Sequence, residues 1–184
     1  MENLSFGQVN DAIQEQIDWL RKKKKEKRLL FKDAIIEDKD LSYLATQLAR
    51  FENVIFRNVE LYRCQLQNMY FENVVFENCN LNGSEFIDTI MEKVRFKNCL
   101  FIAVYNKRCD FKDTEFDNTN VRDSYFDLCC LENTQLGDID VDSVIKENCY
   151  NNIQEWRVAK ANRGIDIENG KIIIFPKVQV GGNE

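Results

Sequence analysis

The sequence predicts an all-β solenoid, a four-sided stack of short strands in which twenty residues make one coil. The prediction rests on a period of five that runs from Phe51 to Val144 without an insertion or deletion, on two inward columns within that period, and on a longer period of twenty. Self-similarity at a short fixed period is typical of stacked repeat folds, in which each unit buries its apolar side against its neighbours.

One position in every five carries a large apolar residue, and only Asn106 interrupts this column. A second column, two residues earlier, carries small or compact residues such as Val54, Cys79 and Ser84. A period of five fits neither a helix nor a single strand, so both columns face inward only in a coiled stack. The large column comprises Phe51, Phe56, Leu61, Leu66, Phe71, Phe76, Leu81, Phe86, Met91, Phe96, Phe101, Phe111, Phe116, Val121, Phe126, Leu131, Leu136 and Val141.

The period of twenty appears as identical residues at that spacing. Phe56, Phe76, Phe96 and Phe116 repeat in this way. Four fives therefore make one coil, and each residue stacks on its counterpart twenty positions later at the strand spacing of about 4.8 Å.

Asn or Asp recurs two places after the large residue, where the coil must turn. These side chains tolerate turn geometry and hydrogen-bond to nearby backbone, so they are expected at corners. The residues concerned are Asn53, Asn58, Asn68, Asn73, Asn78, Asp88, Asn98, Asp113, Asn118, Asp123 and Asn133.

This pattern resembles the pentapeptide-repeat family, whose usual repeat is a small residue, Asn or Asp, Leu or Phe, and two variable positions. The resemblance covers the middle half of the chain. It implies a right-handed, quadrilateral β-helix with a core of Phe and Leu. The chain departs from the family in that Asn or Asp mostly follows the large residue, which alters the surface and leaves the fold intact.

The N-terminal part, residues 1–30, is expected to be a cap. Residues 5–28 read as an amphipathic helix with Val9, Ile13 and Ile17 on its apolar face. A cap is expected because an open end of a stacked fold exposes unpaired backbone. Residues 31–50 fit either a degenerate first coil or a helix capped by Asp40, and the coil is favoured.

The solenoid is predicted to span residues 31–145, and residues 146–184 to form a C-terminal cap. Within this cap, Asn152 to Asn162 reads as a helix with Ile153 and Trp156 towards the last coil. Gly164 to Pro176 reads as a β-hairpin that turns at Asn-Gly.

The residue inventory argues against an enzyme. The chain has no histidine, which excludes Ser-His and Cys-His nucleophile pairs and His metal sites. No glycine loop suited to phosphate is present. Asp138, Asp140 and Asp142 begin like a calcium loop, but Ser143 stands where that loop needs Gly and Cys149 where it needs Glu. We therefore expect no catalytic residue, cofactor or metal.

The seven cysteines are interpreted as structural. Cys64, Cys79, Cys99, Cys109 and Cys129 lie in the small inward column, where a thiol behaves as a small hydrophobe. The odd count and the absence of a CxxC pair argue against a disulfide framework or a zinc site. No apolar run is long enough to span a membrane, and the N-terminus lacks the charge order of a signal peptide, so a cytoplasmic protein is expected.

The distribution of charge indicates two candidate surfaces, an acidic column on the solenoid and a basic run near the N-terminus. Residues 51–145 carry seventeen acidic against nine basic side chains, and Glu52, Glu72, Glu92 and Glu132 form a column along one side, interrupted by Lys112. Some proteins that the chain resembles are acidic rods that mimic DNA and bind type II topoisomerases. A solvated face is the alternative. The basic run 21–28 either ends a helix or binds nucleic acid or membrane.

An apolar surface is the other candidate site. It comprises Ile87, Ile90, Leu100, Ile102 and Tyr105, which are expected at outward positions of a single coil, and Tyr125, which is expected one coil above Tyr105. Contiguous exposed hydrophobic residues usually mark a binding face, although a terminal segment of the chain could cover this one.

The sequence thus favours a non-enzymatic module that presents a rigid surface to an unidentified protein partner, with a homodimer as a further expectation. The alternative is a DNA mimic that binds DNA gyrase and inhibits or protects it.

Overall fold

The protein, in a computed structural model, is a parallel β-solenoid of about six turns followed by one C-terminal helix. The structure describes residues 1–4, 8–9, 11–12, 29–137, 140–162, 166–168 and 171–173. The basic run 21–28, the tip of the predicted hairpin and most of the predicted N-terminal helix lie outside these residues.

Strands stack into ladders whose successive rungs are twenty residues apart, except where the N-terminal strand joins the first coil. Ladder 1 contains β2 (Leu30–Lys32), β5 (Arg50–Glu52), β8 (Tyr70–Glu72) and β11 (Ile90–Glu92), and bridges continue it through Asp110, Cys130 and Tyr150. Ladder 2 contains β1 (Glu2–Leu4), β3 (Ala34–Glu37), β6 (Ile55–Arg57), β9 (Val75–Glu77), β12 (Arg95–Lys97) and β14 (Glu115–Asp117).

Two more ladders complete each turn. Ladder 3 is a row of single bridges through Asp40, Glu60, Asn80, Leu100 and Asn120. Ladder 4 contains β4 (Ala45–Gln47), β7 (Gln65–Gln67), β10 (Glu85–Ile87), β13 (Tyr105–Lys107), β15 (Tyr125–Asp127) and β16 (Ile145–Glu147). The segment 31–50, for which both a coil and a helix were considered, contains β3, β4 and part of β2.

The core is the predicted pair of inward columns. The rings of Phe56, Phe76, Phe96 and Phe116 stack face to face with centroids 4.8, 4.9 and 4.7 Å apart. This distance equals the strand spacing, because parallel pairing in register places identical side chains directly over one another.

Cysteine, serine and threonine alternate in the small column because all three can donate to the backbone there. The Ser84 hydroxyl donates to Leu61 O at 2.5 Å, and the Thr119 hydroxyl donates to Phe96 O at 3.1 Å. The Cys79 thiol donates to Phe56 O at 3.4 Å. Cys149 makes the same contact to Phe126 O at 3.3 Å, so it extends the column beyond the five cysteines placed there from the sequence.

The corner residues predicted from the sequence adopt the left-handed conformation. All eleven Asn and Asp residues of that column have φ between 45 and 57°. Their side chains also bond between coils, as in the row in which Asn58, Asn78, Asn98 and Asn118 each donate to the side chain below, from Asp38 upward, at 2.8 to 3.3 Å. Asn and Asp suit this position because they are the non-glycine residues that enter this region most readily.

The N-terminus contributes a strand that the sequence did not predict. Glu2–Leu4, as β1, pairs in parallel with β3 at the edge of ladder 2. Residues 8–9 and 11–12 are helical, and Val9 is buried in the first coil's core with 1% exposure. This end of the core contains a cavity of about 30 Å³ beside Thr46, whose hydroxyl is buried without a partner among the described residues.

The C-terminal region contains helix α1 (Ile153–Asn162) and an antiparallel pair of strands, β17 (Asp166–Glu168) and β18 (Lys171–Ile173). Helix α1 lies within the helix predicted at residues 152–162, and β17 and β18 lie within the hairpin predicted at residues 164–176. Ladder 2 ends with a bridge between Glu115 and Gln135, and a 3-10 turn, Val141–Ser143, follows the ladder 3 position of the last coil. No helix among the described residues is long and apolar enough to cross a membrane.

Candidate protein-interaction surface

The six residues of the predicted apolar surface lie on three ladders. Leu100 and Ile102 are on ladder 3, Ile87, Tyr105 and Tyr125 are on ladder 4, and Ile90 is on ladder 1. The structure therefore divides them between the two turns that flank ladder 4.

Leu100, Ile102, Tyr105 and Tyr125 flank one of these turns, and we call them the tyrosine patch. Leu100 is 44% exposed and the other three are partly exposed. The two tyrosine rings are parallel, with centroids 5.4 Å apart and an interplanar angle of 8°. Tyrosine presents a large, stiff, amphipathic surface at low cost in side-chain entropy, which suits protein recognition.

Ile145 extends this patch by one coil. It pairs with Tyr125 in ladder 4 and is 51% exposed. The sequence interpretation missed it because the period of five is lost after Val144. The spacing of twenty from Tyr105 through Tyr125 was the signal that would have found it.

The rim of the patch is polar, and its side chains are held by a hydrogen bond and an ion pair. Tyr125 donates from its hydroxyl to Glu147 Oε2 at 2.5 Å, and Lys107 Nζ lies 3.7 Å from Asp127 Oδ2. The hydrogen bond to the carboxylate raises the pKa of Tyr125 to about 12, so its phenol is neutral at physiological pH.

Ile87 and Ile90 flank the other turn, where helix α1 is attached. The ammonium of Lys160 lies 3.5 Å from Asp88 Oδ1 and 4.9 Å from the centre of the Trp156 ring. Arg108 donates to the same carboxylate at 2.9 and 2.7 Å. A terminal segment therefore contacts this turn, as the sequence interpretation had considered.

Two further contacts hold the helix. Trp156 is 4% exposed and donates from Nε1 to Leu128 O at 2.6 Å. Glu132 Oε2 accepts from the backbone N–H of Ile153 at 2.6 Å, and this bond, together with Lys112, lowers the pKa of Glu132. Asn152 caps the helix by accepting from two backbone N–H groups.

The predicted acidic column lies on ladder 1, with Glu52, Glu72 and Glu92 in direct register. Each of its members has a partner. Lys32 lies 3.4 Å from Glu52, and the Arg50 guanidinium also contacts Glu52 and lies 3.1 Å from Glu72. Tyr70 donates to Glu92 at 3.1 Å, and Lys112 pairs with Glu132 at 3.1 Å. The column is therefore a paired network with local cations, and Glu132 also serves helix α1.

Other candidates carry no evident chemistry. Asn106 is fully buried, and its amide donates to Val104 O and Tyr125 O while Oδ1 lacks a partner among the described residues. Asp140 adopts the left-handed conformation and Asp142 lies in the 3-10 turn, while Asp138 lies outside the described residues. The described parts of the chain contain no group of three or more Cys, Asp or Glu arranged to hold a metal ion.

Solved structures similar to this chain include three proteins of low sequence identity. HetL, a pentapeptide repeat protein involved in heterocyst differentiation regulation from the cyanobacterium Nostoc sp. strain PCC 7120, aligns over 79% of both chains with 6% identity and a TM-score of 0.43. Full-length QnrB1, a plasmid-mediated fluoroquinolone resistance protein, aligns over 74% of this chain and 90% of its own with 13% identity and a TM-score of 0.36. Rfr23, a pentapeptide repeat protein from the cyanobacterium Cyanothece 51142, aligns over 75% and 98% with 9% identity and a TM-score of 0.30.

No curated protein sequence matches the chain significantly. Residues 47–117 match the family model described as a pentapeptide repeat region. The match confirms, over this segment, the resemblance to the pentapeptide-repeat family that the repeats indicate.

Proposed function

We propose that this protein is a non-enzymatic cytoplasmic scaffold whose tyrosine patch binds a protein partner. The observation that carries the proposal is the stacked pair Tyr105 and Tyr125 beside Leu100 and Ile102, an apolar surface within a polar rim. Exposed contiguous apolar surface of this kind usually marks a site of protein contact. Aromatic anchors within a polar rim are the usual anatomy of such interfaces.

The scaffold is expected to present this surface without rearrangement. The proposal includes a four-sided, right-handed coil over residues 31–145, an N-terminal cap over residues 1–30 and a C-terminal cap over residues 146–184. The dense core of stacked rings supports rigidity, because interdigitated side chains resist deformation.

The test compares the purified full-length protein with two variants in a cross-linking and pull-down experiment from the host cell. Ile102→Asp is expected to lose the partner, since a carboxylate at the centre of the patch remains unpaired and must be desolvated on binding. Val158→Asp is the matched control because Val158 is an exposed apolar residue of α1 outside the patch. Retention of every partner by the Ile102→Asp protein, with its fold intact, would refute the proposal.

A DNA mimic that binds DNA gyrase is the second candidate function. The observation that favours it is the register of Glu52, Glu72 and Glu92, which places three carboxylates one above another along ladder 1. The cations at Lys32, Arg50 and Lys112 weigh against it.

A supercoiling assay over a protein concentration series separates the two functions. Inhibition, or protection from a quinolone, that is lost in the Glu72→Lys/Glu92→Lys double variant would establish the mimic. If the wild-type protein has no effect at concentrations well above that of the enzyme, the mimic is excluded and the scaffold remains.

A further inference from the structure

The outer surface of ladder 2 carries two columns that the function proposed above does not use. One column is apolar at Ile35, Ile55 and Val75, all half-buried on the surface of the sheet, and continues in β12 with Arg95, which donates to Glu115 at 2.7 Å. The other column, two residues further along each strand, is charged. The two columns run side by side over β3, β6, β9 and β12, because alternate residues of a strand share one face of the sheet.

The charged column alternates in sign from one coil to the next, in the order Glu37, Arg57, Glu77 and Lys97. Arg57 lies 3.1 Å from Glu37 and 3.0 Å from Glu77, and Lys97 lies 3.3 Å from Glu77. These four side chains remain 25 to 44% exposed, so their outer surfaces are available for contact.

An alternating column is complementary to itself when one copy is turned end over end. A twofold axis parallel to the strands, placed between β6 and β9, sets Arg57 against the second copy's Glu77 and Glu37 against its Lys97. The same operation sets Ile55 against the second copy's Val75, and Ile35 against its Arg95. Each contact occurs twice, as an isologous interface requires.

From this pattern we propose that ladder 2 is a self-association surface, through which two copies of the chain pack antiparallel. Four intermolecular charge pairs flank a central cluster of Ile55 and Val75 from both copies. The side chains are already held by their neighbours within each chain, so little rotamer entropy is lost when the copies meet. This surface is separate from the tyrosine patch, and the inference does not depend on the proposed function.

The contact is small, which sets the expected affinity. Three residues of strand span about 10 Å and four rungs span about 19 Å, so each copy buries far less than the roughly 800 Å² of a standard interface. We therefore expect reversible dimers at protein concentrations on the order of hundreds of micromolar. Ladder 1 lacks this self-complementarity because Glu52, Glu72 and Glu92 are consecutive, and a second copy would meet like charges there.

The decisive test is complementation between two charge-reversal variants, measured by sedimentation of the full chain at low salt. Arg57→Glu places Glu against Glu77 of the second copy, and Glu77→Arg places Arg against its Arg57, so each variant alone is expected to lose association at least tenfold. An equimolar mixture meets opposite charges at both positions and is expected to regain it. A purely intramolecular effect cannot produce this rescue, because the charges within each variant chain remain alike.

Controls separate association from folding. Three successive glutamates already stack on ladder 1, so the solenoid accommodates the similar run in Arg57→Glu, and circular dichroism with thermal melting checks each variant. Lys32→Glu makes a matched run on ladder 1 and should leave association unchanged. A mixture of folded variants that stays monomeric, or single variants that dimerise like the wild type, would overturn the inference.

Discussion

At the residue scale, Asn106 is the exception in the large column. It lies between Phe86 and Phe126 and is fully buried, yet its Oδ1 has no partner among the described residues. Burying a polar group without a hydrogen bond costs about 1–3 kcal/mol, so this position lowers the stability of the core.

We predict that Asn106→Leu stabilises the protein by about 1–2 kcal/mol, because it removes the unpaired oxygen and adds apolar contact. Leu66 occupies the same column two coils away, so the backbone suits this side chain. Urea unfolding at neutral pH measures the change. Asn106→Asp is the control and should be destabilised, since it buries a charge. A Leu variant that is less stable than the wild type would show that the amide supports a structure of its own.

Lys93 is a residue whose side chain does not suit its left-handed backbone conformation. It has φ of 54° and occupies the corner row between Asn73 and Asp113, where its side chain is 61% exposed. Lysine pays a conformational penalty in this region that Asn largely avoids.

We therefore predict that Lys93→Asn raises the free energy of unfolding by about 1 kcal/mol, because Asn tolerates the left-handed backbone and its side-chain amide can donate a new hydrogen bond to Asn73 Oδ1. The denaturation midpoint reports the change. Lys93→Ala removes the same charge but offers no amide, and it should give no gain. Equal stabilisation by both substitutions would contradict the explanation.

At the element scale, Gly137 lies at the end of ladder 2, two residues after the bridge between Gln135 and Glu115. Gly137 has φ of +72°, and a Cβ at this position would lie 2.4 Å from Phe116 O. Further along the chain, the 3-10 turn precedes β16, which adds the last strand of ladder 4. The glycine is needed both for its backbone conformation and for its close approach to β14.

We expect Gly137→Ala to destabilise the C-terminal coil by more than the roughly 1–2 kcal/mol of the left-handed penalty alone, because the backbone oxygen of Phe116 cannot move aside easily. Hydrogen exchange at residues 115–136 should report the loosening. Gly83→Ala is the matched control with φ of +67°. Its new Cβ would meet only the flexible Arg63 side chain at 3.2 Å, so a smaller loss is expected.

At the scale of the whole molecule, pH acts through the ion-paired carboxylates and the buried thiols. Hydrogen bonds from Arg57 and Lys97 lower the pKa of Glu77, and the backbone of α1 and Lys112 lower that of Glu132. Burial raises the pKa of Cys64 and of Cys130 to about 11. The chain has no histidine, the side chain that ordinarily titrates between pH 5 and 8.

We predict a flat stability profile between pH 6 and 8 with losses on both sides. The carboxylates have depressed pKa values when folded, so their contribution is present above about pH 4.5 and is lost as the pH falls through the folded values. The thiols have raised pKa values, so their contribution is present below about pH 8.5 and is lost as the pH rises towards 11. Chemical denaturation across pH 3 to 11 tests this, and a steep change between pH 6 and 8 would contradict it.

The solenoid, its coil length, its two inward columns and its corner residues could be predicted from the amino-acid sequence alone. This was possible because each coil buries its side chains only against its neighbours. Every set of five residues must therefore supply the same inward-facing side chains, and this requirement appears in the sequence as a period of five. Helix α1 and the strands of the hairpin were also predictable, since caps and an Asn-Gly turn are local signals.

The contacts of the outward side chains could be seen only in the three-dimensional structure, because their partners lie in other coils and in the chain ends. The structure paired the glutamate column with Arg50 and Lys112, attached Lys160 to Asp88, and placed Leu100 and Tyr105 across one turn. It also added β1, whose pairing with β3 joins residues more than thirty positions apart. Such contacts depend on where the ladders meet and on where the ends return, and no periodic pattern within a coil records them.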